Sequence, residues 1–133
     1  MKKRALLLLI SALPFGAQAA GSWQATRAGG QLQVGGQLLT TPELRAPRAL
    51  PPAASVTQLS WRITLLRAAP PGLGIKLCSV DRCLRLEGLQ GTLRPGAHFP
   101  AAGPFSFVYS VASKGALLPQ VQIVSNQLTV NYR

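Results

Sequence analysis

The sequence predicts an all-β protein, a single-domain antiparallel β-sandwich of about seven to nine short strands. Apolar residues recur at a period of two through residues 20–133, and Gly and Pro interrupt the alternation at short intervals. The alternation is typical of half-buried strands, and the interruptions are typical of the loops that join them. No stretch shows the spacing of an amphipathic helix. A small β-barrel is the alternative arrangement of the same strands.

The first half of the domain carries two short strands and one long strand. Residues 23–26 predict a short first strand, and residues 31–39 predict a strand or a hairpin. Residues 41–55 hold four prolines, which neither a sheet nor a helix tolerates. We therefore expect a surface crossover there, or one short helical turn at residues 42–45. The alternation is clearest over residues 56–66, which predict the long strand.

The two faces of this long strand differ in polarity. Its apolar face carries Leu59, Trp61, Ile63 and Leu65. Arg62 lies on the opposite face, because side chains alternate along a strand. We therefore expect Trp61 to be buried and Arg62 to be available on the surface.

The next hairpin contains both cysteines of the chain, Cys78 and Cys83. Alternation places them opposite each other on one face, together with Lys76 and Arg85, and this arrangement predicts a disulfide. The short loop Ser79–Arg82 would be closed by a bond worth about 2 kcal/mol. A metal or redox site is disfavoured, because four residues separate the cysteines and no other Cys or His lies nearby.

The last third of the chain predicts three further strands. Residues 88–103 form a loop-rich return, and residues 105–111 form a strand with Phe and Tyr on one face. Residues 121–124 and 128–132 are the last two apolar stretches. Their alternation slips across residues 125–127, which predicts a turn or a bulge at that point.

Large side chains on the inward faces are expected to anchor one core, because 114 residues lie within the size of a single domain. The expected core anchors are Trp23, Trp61, Phe107, Tyr109 and Tyr132.

The chain begins with the pattern of a cleavable secretory signal peptide. Residues 2–4 are basic, residues 5–13 are apolar, and residues 17–19 have the small-x-small form of a cleavage site. We expect cleavage between Ala19 and Ala20. The apolar stretch is shorter than the roughly 20 residues of a membrane-spanning helix, so we expect export without stable membrane insertion. An uncleaved anchor is the alternative.

Removal of residues 1–19 would leave a domain of residues 20–133 with 11 basic and 3 acidic residues, a net charge of +8. Such a charge favours anionic partners such as lipid, lipopolysaccharide, peptidoglycan or an acidic protein. Export excludes nucleic acid as a routine partner. The basic residues are scattered, as on a solvated surface. An envelope-binding module that holds peptidoglycan or lipopolysaccharide stays an alternative, and its binding would weaken steeply with salt.

No pattern in the sequence points to catalysis. The three carboxylates, Glu43, Asp81 and Glu87, lie in or near turns and do not form an acid/base pair. The lone His98 has no serine in a G-x-S-x-G elbow to activate, so a surface histidine is expected. We therefore expect a non-enzymatic protein without cofactor or metal. A periplasmic enzyme inhibitor that inserts the cysteine hairpin into its target is a further alternative.

Several short motifs are spread over most of the domain. They are Trp23, Trp61-Arg62, Gly72-Leu73, Leu77-Cys78, Cys83, Leu86-Glu87-Gly88 and the terminal run 126–133. In these motifs the chain resembles the flagellar protein FlhE family, small exported proteins encoded with the flagellar export-apparatus genes of enteric bacteria. Residues 41–55 and 89–104 do not take part in the resemblance.

The resemblance implies a periplasmic accessory protein of the flagellum, folded as a β-sandwich and without catalytic activity. It implies flagellar export-gate or rod proteins as partners, a chaperone-like role in rod assembly, and a role in limiting proton leakage through the flagellar type III export channel. The residues expected to contact such a partner are Arg62, Asn131 and Arg133.

Overall fold

The computed structural model describes residues 20–96 and 99–133. These residues form nine strands and no helix. The strands are β1 Gly21–Ala28, β2 Gln31–Val34, β3 Leu39–Thr40, β4 Val56–Leu65, β5 Leu73–Ser79, β6 Arg82–Arg85, β7 Gln90–Leu93, β8 Ser106–Val111 and β9 Ala116–Tyr132. The described part of the chain therefore contains no helix long and apolar enough to cross a membrane.

The strands form two antiparallel sheets that pack face to face, which confirms the predicted sandwich. The first sheet has the order β1-β9-β4-β7, and β2 extends it by pairing with the early part of β9. The second sheet has the order β3-β8-β5-β6. β9 pairs with three other strands, and it is therefore the central strand of the first sheet.

The inward faces of both sheets form one apolar core. All five aromatic side chains expected as anchors lie in it, and Phe107 and Tyr109 are fully buried. The Trp23 indole N–H donates to the carbonyl oxygen of Ala101 at 2.7 Å, and the Trp61 indole N–H donates to the carbonyl oxygen of Gly88 at 3.1 Å. Both tryptophans therefore bury their rings without leaving a polar group unpaired.

The slip in the alternation near the end of the chain is a bulge within one strand. Thr64 of β4 pairs with Ser125, and the next residue, Leu65, pairs with Ile123, so Val124 is the extra residue. The two separate apolar stretches expected there are parts of the single strand β9. A bulge shifts the alternation by one residue without ending the strand, and sequence alone does not distinguish it from a turn.

The segment predicted as one strand or a hairpin over residues 31–39 is divided between the two sheets. β2 pairs with β9 in the first sheet, and β3 pairs with β8 in the second. Between them the backbone turns at Gly36, which has a φ of +79° that favours glycine. The prediction of a hairpin is therefore wrong, because the turn carries the chain across the sandwich.

The proline-rich segment 41–55 is a crossover without a helical turn. Leu44 is fully buried and forms an isolated bridge to Phe105, with both backbone hydrogen bonds present at 2.7 and 2.9 Å. Thr41 Oγ1 accepts a hydrogen bond from the backbone N–H of Phe107 at 2.9 Å. The segment thus closes one end of the sandwich with a buried leucine.

The segment 88–103 contains a strand that the alternation did not reveal. β7 pairs with β4 over four residues, from Arg62 opposite Gln90 to Leu59 opposite Leu93. The strand is short, and its central residue is Gly91, which lies beneath the Trp61 ring. A side chain at that position would collide with the indole, since its Cβ would lie 2.7 Å from the ring.

Candidate functional site

The acidic side chains do not assemble into a catalytic group. Glu43 forms an ion pair with Arg45 at 2.6 Å, and Glu87 lies 3.7 Å from Arg85 with both side chains largely exposed. Asp81 lies in the tight turn between β5 and β6. Within residues 20–96 and 99–133, no three His, Cys, Asp or Glu side chains come together as a metal site would require. His98 lies outside the described residues.

The most distinctive surface is on the outer side of the first sheet, around Arg62. A groove of about 580 Å³ runs there across three adjacent strands. Its outward side chains come from β4, β7 and β9, and we call them the Arg62 face: Ser60, Arg62, Gln90, Thr92, Gln127 and Thr129.

The registers of the three strands explain why these side chains meet. Arg62 pairs with Gln90 on one side and with Gln127 on the other. Two residues away, Ser60 pairs with Thr92 and Thr129 in the same way. Each row therefore holds three polar side chains on one face of the sheet, because directly paired residues project to the same side.

The chemistry of the Arg62 face is hydrogen bonding around one positive charge. The hydroxyls of Ser60 and Thr92 lie 3.2 Å apart and satisfy one another in part. Arg62 is exposed and is the one charged side chain among those that line the groove. A planar guanidinium among hydroxyls and amides suits a carboxylate together with backbone amides of a protein.

The opposite side of β4 is apolar and faces the core. Trp61, which also borders the groove, directs its ring into the core and is 6% exposed. The face therefore lacks a large exposed aromatic ring on which a sugar could stack.

Asn131 lies further along β9 on the same side of the molecule, and Arg133 follows the end of that strand. Asn131 is four residues from Gln127, about 13 Å along the strand, and pairs with Ser22 and Gln58. A second shallow groove of about 380 Å³ is lined by Asn131, Arg133 and the start of β1. The structure thus places the three expected contact residues along one sheet, with Arg62 in one groove and the other two in the next.

The backbone of Arg133 is held in place by the crossover segment. Its N–H donates to the carbonyl oxygen of Ser55 at 3.0 Å, and its carbonyl oxygen accepts from the N–H of Ser55 at 3.1 Å. Its side chain is exposed. The last residue of the chain is therefore an ordered part of the surface.

The two cysteines form a disulfide on the other sheet, away from the Arg62 face. Cys78 and Cys83 are directly paired across β5 and β6, with a Cα–Cα distance of 4.0 Å. Lys76 pairs with Arg85 two positions further along the hairpin. The disulfide covalently fixes this hairpin and does not contribute to either groove of the first sheet.

Most of the Arg62 face comes from residues that the sequence analysis did not single out as contacts. Gln90 and Thr92 lie on the strand that was not predicted, and Gln127 and Thr129 lie on the part of β9 that follows the bulge. The sequence does alternate there, with polar Gln90 and Thr92 separated by less polar residues. The alternation covers only four residues, which is too short to predict a strand.

Comparison with known proteins identifies the family. The model of the family described as flagellar protein FlhE matches residues 29–133. The chain belongs to the FlhE family of flagellar proteins. The resemblance inferred from the sequence motifs is thereby confirmed.

Individual relatives support the same family assignment. Flagellar protein FlhE of Yersinia enterocolitica is 41% identical over 96% of this chain and 91% of its own length. The FlhE proteins of Salmonella typhimurium strain LT2 and Escherichia coli strain K12 are 38% and 36% identical, again over 96% of this chain, and over 97% and 98% of their own lengths. Family membership supports an accessory role connected with the flagellum.

A solved structure shows a similar fold. A crystal structure of FlhE aligns with a TM-score of 0.79 and 37% sequence identity, and it covers 86% of this chain and 97% of the other. The two-sheet sandwich is therefore the fold of this family as well as of this chain.

Proposed function

We propose that this chain is a non-enzymatic accessory protein of the flagellum that acts by binding a protein of the export apparatus or the rod through the Arg62 face. Family membership supplies the flagellar context. The observation that carries the binding proposal is a single arginine in an open groove whose other outward side chains are hydroxyls and amides. Such a surface binds a polar segment by hydrogen bonds and by one charged contact.

The surroundings of Arg62 support an acidic contact on the partner. None of the three acidic residues of the chain lines the groove, and two of them pair with other arginines. A partner carboxylate at Arg62 would form a charge-assisted hydrogen bond without competition from a side chain of the same protein. The partner surface is therefore proposed to carry an Asp or Glu among backbone and amide groups.

The periplasm is the proposed location. The amino-terminal pattern of a signal peptide and the disulfide between Cys78 and Cys83 both favour an exported, oxidised protein. Residues 1–19 lie outside the described residues, so support from the structure comes from the disulfide. A protein at this location reaches those parts of the export apparatus and rod that face the periplasm.

The proposed effect on proton leakage follows from binding alone. A protein that covers or orders a component at the periplasmic mouth of the export channel would reduce the passage of protons without chemistry of its own. The same contact with rod subunits would assist their assembly. Both effects require the Arg62 face to be free and the domain to be rigid, and the single apolar core shared by the two sheets supports rigidity.

Site-specific photo-crosslinking tests the proposal in the producing bacterium. A photoreactive amino acid is placed at Thr92, which is exposed within the groove, and in a matched control at Lys76, which is exposed on the second sheet. We expect a crosslink from position 92 to a flagellar export or rod protein, and none from position 76. A crosslink to such a protein from position 76 alone would contradict the proposed face.

A further inference from the structure

One end of the sandwich exposes apolar side chains that the proposed function does not use. The loop after β4 and the first part of β9 border a groove of about 300 Å³ at this end. Among the lining residues are Ala68, Pro70, Pro71, Leu118 and Pro119, and together with the exposed Leu66, which precedes Arg67 of the groove, we call them the apolar end. The backbone N–H of Leu66 donates to the carbonyl oxygen of Gln122 at 3.0 Å and so joins the two segments.

The leucines at this end project outward. Leu118 is 89% exposed and Leu66 is 58% exposed, whereas Leu65, next to Leu66, packs against the core. The neighbouring Val124, the extra residue of the bulge, is also 45% exposed. A single exposed leucine is ordinary, but several exposed apolar side chains at one end of a domain mark a candidate surface for an apolar contact.

Positive charge surrounds the apolar end. Arg67 lines the groove, and Lys114 lies in an exposed turn nearby. That turn is tied to the same loop, because the N–H of Ala112 donates to the carbonyl oxygen of Gly72 at 3.0 Å. Arg67 therefore lies in the groove itself, and the turn that carries Lys114 joins the loop at the same end of the sandwich.

Two of the three acidic residues lie at the other end of the sandwich. Asp81 lies in the turn after β5, and β5 begins near the apolar end at Leu73 and extends about 20 Å from it. Glu43 lies next to Leu44, which bridges to Phe105 at that distant end. Glu87 follows β6, which runs back along β5 toward the apolar end, and its carboxylate lies 3.7 Å from the guanidinium of Arg85, which offsets its charge. None of the three acidic residues of the chain lines the groove.

We infer that the apolar end is a peripheral contact site for an anionic lipid surface. Projecting leucines and prolines can enter the boundary between headgroups and acyl chains, while Arg67 and Lys114 meet lipid phosphates. The charge pattern favours a lipid surface over a second copy of this chain, because two copies that met through this end would bring like charges together. This contact is separate from the Arg62 face, because the two grooves share no lining residue and Leu66 lies four residues, about 13 Å, beyond Arg62 along the chain.

Vesicle binding by the exported, purified protein tests the inference. The probes are vesicles of phosphatidylglycerol and phosphatidylcholine in equal parts, and vesicles of phosphatidylcholine alone, in co-sedimentation at low salt. We expect binding to the first kind and much weaker binding to the second. Replacement of both leucines, L66S with L118S, should lower the partition coefficient about tenfold, and R67Q or K114Q should lower it about fivefold each.

Matched control variants distinguish binding through the apolar end from non-specific binding by any exposed apolar side chain or any cation. V80S removes a side chain that is 82% exposed at the other end, and K76Q removes a cation from the second sheet. Both should leave vesicle binding nearly unchanged. The inference is overturned if the wild-type protein does not bind anionic vesicles, or if the leucine variants bind them as well as the wild type does. It is also overturned if the protein does not bind vesicles but self-associates in ultracentrifugation and L118S abolishes that self-association.

Discussion

The phenol of Tyr109 donates a hydrogen bond to Oδ1 of Asn126 inside the apolar core. Tyr109 lies on β8 of the second sheet and Asn126 on β9 of the first, and both are fully buried. The amide of Asn126 also donates to the carbonyl oxygen of Arg27 at 3.5 Å. One polar pair therefore ties the two sheets together and fixes how they face each other, because a shifted packing would leave both groups unpaired.

Replacement of Tyr109 by Phe should destabilise the domain by about 1–3 kcal/mol, because the Asn126 oxygen would stay buried without a donor. Urea unfolding of the wild type and of Y109F measures the loss. The control is the double variant Y109F/N126L, in which neither polar group remains and part of the stability should return. Equal stability of Y109F and the wild type would show that the pair contributes nothing.

The same tyrosine should make stability depend on alkaline pH. Burial raises the pKa of the Tyr109 phenol above its ordinary value of about 10. Below about pH 10 the phenol is protonated in both the folded and the unfolded chain, so the stabilisation by its hydrogen bond is fully present. Above that pH the unfolded chain loses the proton while the folded chain keeps it, so stability falls by about 1.4 kcal/mol per pH unit. The difference in unfolding free energy between the wild type and Y109F should shrink between about pH 10 and 11, and a constant difference would contradict this.

Removal of the disulfide should weaken the domain without unfolding it. The C78S/C83S variant should lose about 2 kcal/mol, because the bond closes only a short loop. The hairpin should still form, since β5 also pairs with β8 from Leu73 to Cys78. Guanidinium unfolding monitored by tryptophan fluorescence measures the loss. A variant without a cooperative transition would show that the bond specifies the fold.

Substitution of Val80 by Gly should stabilise the hairpin. Val80 has a φ of +51°, where a β-branched side chain is strained and glycine is not. We expect a gain of about 1 kcal/mol in the free energy of unfolding. V80G also tests the inhibitor alternative, because Val80 is the exposed apolar tip of the hairpin. Flagellar function should be retained in V80G, and its loss would show that the hairpin tip, and not only the Arg62 face, contacts a partner.

The sequence predicted the features that depend on neighbouring residues. Alternation placed Trp61 inside and Arg62 outside, and it placed Cys78 opposite Cys83, because each result needs only the period of a strand. The partners of Arg62 were not predictable in this way. Gln90 and Gln127 lie 28 and 65 positions further along the chain, and only the pairing of β7 and β9 with β4 brings them together.

Two further features also depended on residues distant in sequence. A slip in the alternation has the same appearance for a bulge as for a turn, so the sequence left both open, and the pairing with β4 shows the bulge within the single strand β9. Leu44 appeared to belong to a surface loop, because prolines dominate the segment and obscure one buried leucine. In each of these cases the outcome depended on a partner strand, which a single sequence does not reveal.

Cytoplasmic pH under acid load tests the central claim, that the Arg62 face carries the function, most directly. A strain that lacks the gene is supplied with the wild type, with R62E, or with K76E, a charge-matched control on the second sheet. The expected result is that the wild type and K76E keep the cytoplasm near neutral, while R62E acidifies like the deletion although the protein is exported and folded. Full protection by R62E would contradict the claim.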